Sequence, residues 1–243
     1  ELGALAQELQ ELKKAEDYYK KALEIKTEFN EPIDLARTLL NLGNLAQIQQ
    51  EIEKAEDYYK QTLEIYKEFN DRYKPAFVFH NLGMLAQQKE EWQKAEDYHK
   101  QALKIRIEFN DRFEQANSFF SLGIVAQERH ELQKARSYYQ QALDIYIEFE
   151  DYYKQAVTYN NLSIIAQLER DWQKAEIYGM RAVEIFRGLN DINNLLLTLS
   201  NFPNLWVESG DHTFIFRVAE KLKLPVKEVV ELFKDLSNEN AFE

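Results

Sequence analysis

Four histidines, His80, His99, His130 and His212, are the side chains of this sequence best suited to acid–base or metal chemistry, and their spacing argues against both. No two of them stand at a metal-sharing separation. Cysteine is absent, which excludes disulfides and thiolate nucleophiles. Adjacent acids recur as Glu56-Asp57 and Glu96-Asp97, but they return in step with the chain's own period, which suits architecture better than a single general acid/base pair. No glycine-rich phosphate loop or nucleophile motif occurs. The sequence therefore offers no catalytic residue, no metal ligand set and no cofactor site. What it does offer is two files of amides. Asn41, Asn81 and Asn161 form one, with Ser121 in step; Gln7, Gln47, Gln87, Gln127 and Gln167 form the other. A primary amide both donates and accepts, so a regular file can hold the backbone of an extended segment. The competing reading of the glutamines is a ladder that ties stacked units together.

The elements that position these amides follow from a repeat. Ala15, Ala55, Ala95, Ala135 and Ala175 are spaced by 40 residues, each preceded by a phrase such as Leu42-Gly43-Asn44-Leu45-Ala46-Gln47. A period of this length indicates stacked units whose function lies on a long surface. Glycine (7) and proline (4) are too scarce for sheets and long loops. Within the second unit Leu35, Leu39, Leu42 and Ala46 mark one helical face, and Ile52, Ala55, Tyr59, Leu63 and Tyr66 mark another. Each unit is thus expected to be a hairpin of two helices, with a short link near Gln50-Glu51 that makes them antiparallel. Gly43, Gly83 and Gly123 should stand at the crossing, where small residues allow close approach. The junctions between units read Phe69-Asn70-Asp71 and Phe109-Asn110-Asp111. Asn tolerates the left-handed conformation that closes a helix, and Asp caps the next one.

Leu42-Gly43, Ala55, Tyr59 and Leu63 fall where tetratricopeptide repeats place their Leu-Gly, Ala and aromatic positions, and the chain resembles that family over residues 1–190. Two departures stand out: alanine (Ala46, Ala86, Ala126, Ala166) replaces the usual aromatic after the glycine, and the unit has 40 residues where 34 is usual. The longer form resembles the repeats of kinesin light chains and of arrays in bacterial, especially cyanobacterial, signalling proteins. The resemblance implies an all-α, right-handed superhelical solenoid of antiparallel hairpins. It also implies that first helices line a concave face and that Asn at the phase of Asn41 and Asn81 contacts ligand backbone.

Positions off the core face of the first helices are Arg37, Leu40, Asn41, Asn44, Gln47 and Ile48, then Phe77, His80, Asn81, Met84, Gln87 and Gln88. The fourth unit has Asn117, Phe120, Ser121, Ile124, Gln127 and Glu128; the fifth has Val157, Asn160, Asn161, Ile164, Gln167 and Leu168. Apolar side chains there, where the hairpin core does not need them, suggest a surface meant to be covered. We expect a protein or peptide segment as partner. Arg37 alone among these positions carries a fixed positive charge, which argues against a carboxylate clamp. Glu56 and Glu96 have Lys60 and Lys100 four residues on and read as a solvated outer face. His99 stands at the aromatic phase of Tyr59 and Tyr139 and reads as a core substitution.

Lys and Arg number 30 against 42 Asp and Glu, a net charge of −12, which disfavours phosphate backbones and anionic membranes. We expect neither nucleic acid nor membrane as partner, a cytoplasmic setting and a monomer. The opening Glu1-Leu2-Gly3 falls at the phase of Asn41-Leu42-Gly43, which implies a chain that begins within a helix and belongs to a longer protein. At the other end Phe202-Pro203 replaces Leu-Gly, so residues 191–243 are expected as a degenerate helical cap, with helices over 213–222 and, opened by Pro225, over 226–236. A DNA-binding helix-turn-helix is the alternative there. Five basic and four acidic side chains between 217 and 235 give it no electrostatic footprint.

Overall fold

The computed structural model describes residues 11–29 and 31–236, and every regular element among them is helical. The first helix expected over residues 1–10 lies outside the described residues. The chain divides into two compact units, residues 1–125 and 126–243. The first holds α1 (Leu12–Glu28), α2 (Pro32–Ile48), α3 (Ile52–Glu68), α4 (Pro75–Gln88), α5 (Trp92–Glu108) and most of α6 (Arg112–Glu128). The second holds α7 (Leu132–Glu148), α8 (Tyr152–Leu168), α9 (Trp172–Gly188), α10 (Ile192–Leu199), α11 (Phe202–Ser209), α12 (Phe214–Leu222) and α13 (Val226–Leu236).

The period is a consequence of how each helix ends. Gln50, Asn70, Glu90, Asn110, His130, Glu150, Arg170 and Asn190 all take positive φ, between 53° and 61°, and they recur every 20 residues. At α3 the N–H of Asp71 donates to Tyr66 O and that of Asn70 to Lys67 O; at α2 Glu51 donates to Ala46 O and Gln50 to Gln47 O. This paired closure satisfies the last carbonyls of the helix and turns the chain back at once. A 17-residue helix, its closing residues and one N-cap make 20 residues, and two such segments make the unit of 40. The Asn-Asp junctions behave as the sequence suggested. Asp71 accepts from the backbone N–H groups of Tyr73 and Lys74, and Asp111, Asp151, Asp171 and Asp191 each cap the N–H three residues on. The glutamates at the same place, Glu51, Glu91 and Glu131, make no such bond.

In the first unit α2 packs along α3 and α4 along α5. Ala36, Ala46, Ala55, Tyr59, Tyr66, Val78, Leu82 and Leu85 form one core cluster. Gly43 and Gly83 lie at the crossings: a Cβ on Gly43 would stand 2.7 Å from Tyr59 Cδ1, and one on Gly83 2.5 Å from His99 Cε1. The ring of the second helix therefore occupies the space a side chain on the first would need. Gly123 is buried within α6. In the second unit the exchange is reversed. Ser163 stands at the glycine phase and Gly179 at the ring phase, and Phe202 fills the space, its Cε1 2.7 Å from where a Gly179 Cβ would be. Ser163 Oγ donates to Ala175 O at 2.7 Å.

The helical repetition runs past the sequence motif. α10 follows α9 as α4 follows α3, and α11 begins one residue before Pro203, so the proline breaks a sixth first helix into two eight-residue pieces. Phe202, Leu205, Phe214, Ile215, Val218, Val229 and Phe233 close that end in one apolar cluster. α12 and α13 lie within a residue of the expected spans.

Candidate first-helix binding face

All seventeen candidate contact residues, from Arg37 to Gln167, are partly or fully exposed, whereas the interleaved positions of the same helices are mostly buried, Leu40, Phe79, Phe119 and Tyr159 being half-buried. Arg37 is the one fixed charge among them, and it pairs with Asp34 at 2.6 Å. On α4, Phe77, Asn81 and Met84 step by four and three residues along one side over roughly 10 Å, with Phe77 36% and Met84 42% exposed. On α6 the matching places are Asn117, Ser121 and Ile124, of which Asn117 and Ile124 are half-buried and Ser121 is buried, while Phe120, half-buried, stands at the phase of His80.

The amides are more engaged than a row of free hydrogen-bonding groups. In the first unit Asn81 Nδ2 donates to Asn44 Oδ1 at 2.7 Å, across neighbouring repeats. The Tyr59 hydroxyl lies 2.9 Å from both Asn44 Oδ1 and Gln47 Oε1, and Gln47 Nε2 donates to Gln88 Oε1 at 3.1 Å. Burial holds that hydroxyl far above the ordinary phenol range. His99 Nε2 meets Gln87 Oε1 at 3.1 Å. In the second unit the Tyr139 hydroxyl donates to Gln127 Oε1 at 3.0 Å, Asn161 Nδ2 to Val157 O at 3.0 Å, and Asn201 Nδ2 to Asn160 Oδ1 at 3.3 Å. Gln47, Gln87 and Gln127 each turn the side-chain oxygen toward the ring of their own second helix, and Gln7 lies outside the described residues. Gln167, whose ring is replaced by Gly179, has a buried Nε2 with no hydrogen-bond partner. The glutamine file acts within hairpins at three positions, while Asn44, Asn81, Gln47 and Gln88 bridge two repeats.

His99 is fully buried, and His80 lies beside it with ring centroids 5.5 Å apart. Burial first, then the neighbouring His80 and Arg106, pushes the His99 pKa down to about 3. Arg106 is itself buried, donating to Ser118 Oγ at 2.7 Å and Glu114 O at 3.1 Å and pairing with Glu114 Oε2 at 2.8 Å. The Phe77 ring lies 5.9 Å from its guanidinium carbon. The sequence carried a signal for this pair that residue-by-residue reading missed. Eight residues apart, Tyr66 and Lys74 meet at 5.7 Å and Tyr146 and Lys154 at 5.4 Å, so Arg106 with Glu114 is the same junction with charge assigned differently.

The outer acids also differ from expectation. Glu56 pairs with Lys60 at 2.6 Å as the spacing suggested, but also with Lys89 of the following repeat at 3.2 Å, and Glu96 is largely covered while pairing with Lys100. Asp57 and Asp97 are the exposed members of those pairs. Among the described residues no three His, Cys, Asp or Glu converge to hold a metal, and no helix is long and apolar enough to cross a membrane.

A tetratricopeptide-repeat family model matches residues 1–68, 34–108, 74–148 and 114–188, and the chain belongs to that family. No curated protein sequence matches it. Among solved structures it is similar to BtubC (BKLC) from P. vanneervenii, at 20% identity and a TM-score of 0.75, over 93% of this chain and 91% of that one. It also resembles a signal-transduction ATPase with numerous domains and a tetratricopeptide-repeat sensor from Pyrococcus horikoshii, at 18% identity and a TM-score of 0.76. That match covers 98% of this chain, which spans 38% of the ATPase. YrrB, described as a repeat protein of this family with an unusual peptide-binding site, matches at 17% identity and a TM-score of 0.60, over 90% of this chain and 94% of its own. These likenesses establish the fold.

Proposed function

We propose that this chain binds a segment of a partner protein along the first-helix face of its repeats, without catalysing a reaction, as the recognition part of a larger cytoplasmic signalling protein. One observation carries the reading: on a chain with 30% charged residues, the seventeen exposed or half-exposed positions of that face hold a single fixed charge. Apolar side chains, amides and His80 fill the rest, which suits a peptide whose backbone is desolvated on binding. A second reading, a receptor for a short regulatory peptide that controls a linked output domain, is favoured by the likeness to an array described as a sensor.

A photo-crosslinking residue placed at Met84 should capture a defined partner segment from an extract of the source cells, and the same residue at Asp57 should not. Capture at Asp57 with none at Met84 would place recognition on the outer face and remove the basis of the proposal.

A further inference from the structure

Two of the junctions between consecutive repeats are tied by the same side chain. Gln115, at the start of α6, is buried, and its Nε2 donates to Arg106 O at the end of α5 at 3.1 Å. Gln155, at the start of α8, is buried in the same way and donates to Tyr146 O at the end of α7 at 2.9 Å. Those carbonyls also receive the N–H groups that close their helices, from Asp111 and Asp151, so each oxygen has two donors. After α9 an apolar side chain takes the same position: Leu195 packs on the cluster of Ala156, Ala182 and Phe186.

Forty residues before Gln115 stands Pro75. Tyr66 O receives the closing N–H of Asp71 at 2.9 Å, as its counterparts receive theirs, but the proline ring has no donor to add and folds back on its own nitrogen. α4 also opens at Pro75, whereas Arg112 and Tyr152 open α6 and α8 at the phase of Arg72. Between the end of α3 and the start of α4 lies a cavity of 470 Å³, lined by Leu63, Tyr66, Pro75 and Phe79. Its rim carries Glu64 and Asp71 against Lys67 and Arg72, two charges of each sign.

We propose that this cavity binds a neutral small molecule carrying a carboxamide on an apolar ring, its N–H donating to Tyr66 O as the glutamines donate in the other two junctions. The chain's own Gln115 and Gln155 are the template for the polar group. The ring answers Leu63, Pro75 and Phe79, and the volume falls in the range of small-molecule sites, about 300–1,000 Å³, which is more than one glutamine side chain fills. The balanced rim favours a ligand without net charge. Bound there, the molecule supplies from outside the tie between repeats that Pro75 cannot make. The site is separate from the first-helix face and stands whether or not that face binds a partner.

The probe is benzamide, titrated into the full isotope-labelled chain, with acetophenone, in which a methyl group replaces the amide nitrogen, as its control. Benzamide should give saturable amide shifts over residues 63–75 and at Phe79, with a dissociation constant on the order of millimolar, as a ligand of that size allows. Acetophenone should bind about fivefold more weakly or worse, since it offers Tyr66 O no donor. Pro75→Gln places the chain's own plug in the cavity and should abolish the shifts with the fold intact, because glutamine already occupies that position at Gln115 and Gln155. Leu63→Phe, which narrows the apolar end, is the second variant should the first fail to fold, and it should weaken binding about fivefold or more. No saturable shifts in the parent, equal binding of the two probes, or unchanged binding in the variants overturns the proposal. Shifts centred on Met84 would put the probe on the first-helix face and overturn it as well.

Discussion

Lowering the pH from 7 to 5 should weaken the hairpin of α4 and α5 because of one side chain. His99 is buried against Gly83, and burial, His80 on α4 and Arg106 on α5 hold its pKa near 3 where 6.5 is ordinary. Between those values the unfolded imidazole binds a proton and the folded one does not, so unfolding takes up protons. Stability from this group is fully present above pH 6.5 and declines as pH falls toward 3. Each pH unit inside the window is worth about 1.4 kcal/mol, so the loss by pH 5 is about 2 kcal/mol. His99→Tyr restores the ring found at Tyr59 and Tyr139, whose hydroxyls reach Gln47 and Gln127, and removes the titration. Both proteins are compared in a His80→Gln background, so that the imidazole beside His99 titrates in neither. Urea unfolding of each at pH 7 and pH 5 should show the parent losing about 2 kcal/mol more than the variant. The His99 ring should remain neutral at pH 5 by NMR. Equal losses in the two proteins, or a protonated His99 at pH 5, would refute the burial argument.

Three further outcomes follow from the turns and crossings. Glu90 and Arg170 adopt left-handed conformations without the freedom of glycine, so Glu90→Gly and Arg170→Gly should each raise stability by roughly 0.5–1 kcal/mol after the entropy of a more flexible unfolded chain is counted; lower melting temperatures would contradict this. Glu91→Asp should gain about 0.5 kcal/mol by capping the N–H three residues on, as Asp171 does, and a structure of the variant lacking that bond would count against it. Gly43→Ala forces a methyl into the Tyr59 ring and should cost about 1–3 kcal/mol in denaturant titration; an unchanged midpoint would mean the helices do not cross there.

Much of the architecture was legible because it recurs. Ala15 to Ala175 set the register, Gly43 and Gly83 marked the crossings, and Asn70-Asp71 gave a turn whose chemistry is local. The closures at Gln50, Glu90, His130 and Arg170 were not legible as turns of that kind, since none carries the Asn or Gly that announces a left-handed residue; the packing of the helices on either side enforces them. Pro75 opens α4, which has 14 residues against 17 in α2 and α6, a local shortening that the 40-residue period does not encode. The candidate face was legible as a set of exposed positions. Hydrogen bonding was not: whether Gln127 is a free amide or the partner of Tyr139 depends on a contact between two helices, and no helical period encodes it. The sixth repeat was hidden because Phe202-Pro203 erased the motif while leaving the helices in place.

The most direct measurement is calorimetric titration of the captured partner segment into the parent chain, a Phe77→Ala, Met84→Ala double variant and an Asp57→Asn, Asp97→Asn control. The first pair loses apolar surface on the proposed binding face, so affinity should fall by about 2 kcal/mol or more, while the outer-face control should bind within about 0.5 kcal/mol of the parent. Normal binding by the double variant, together with loss in the control, would contradict recognition on the first-helix face.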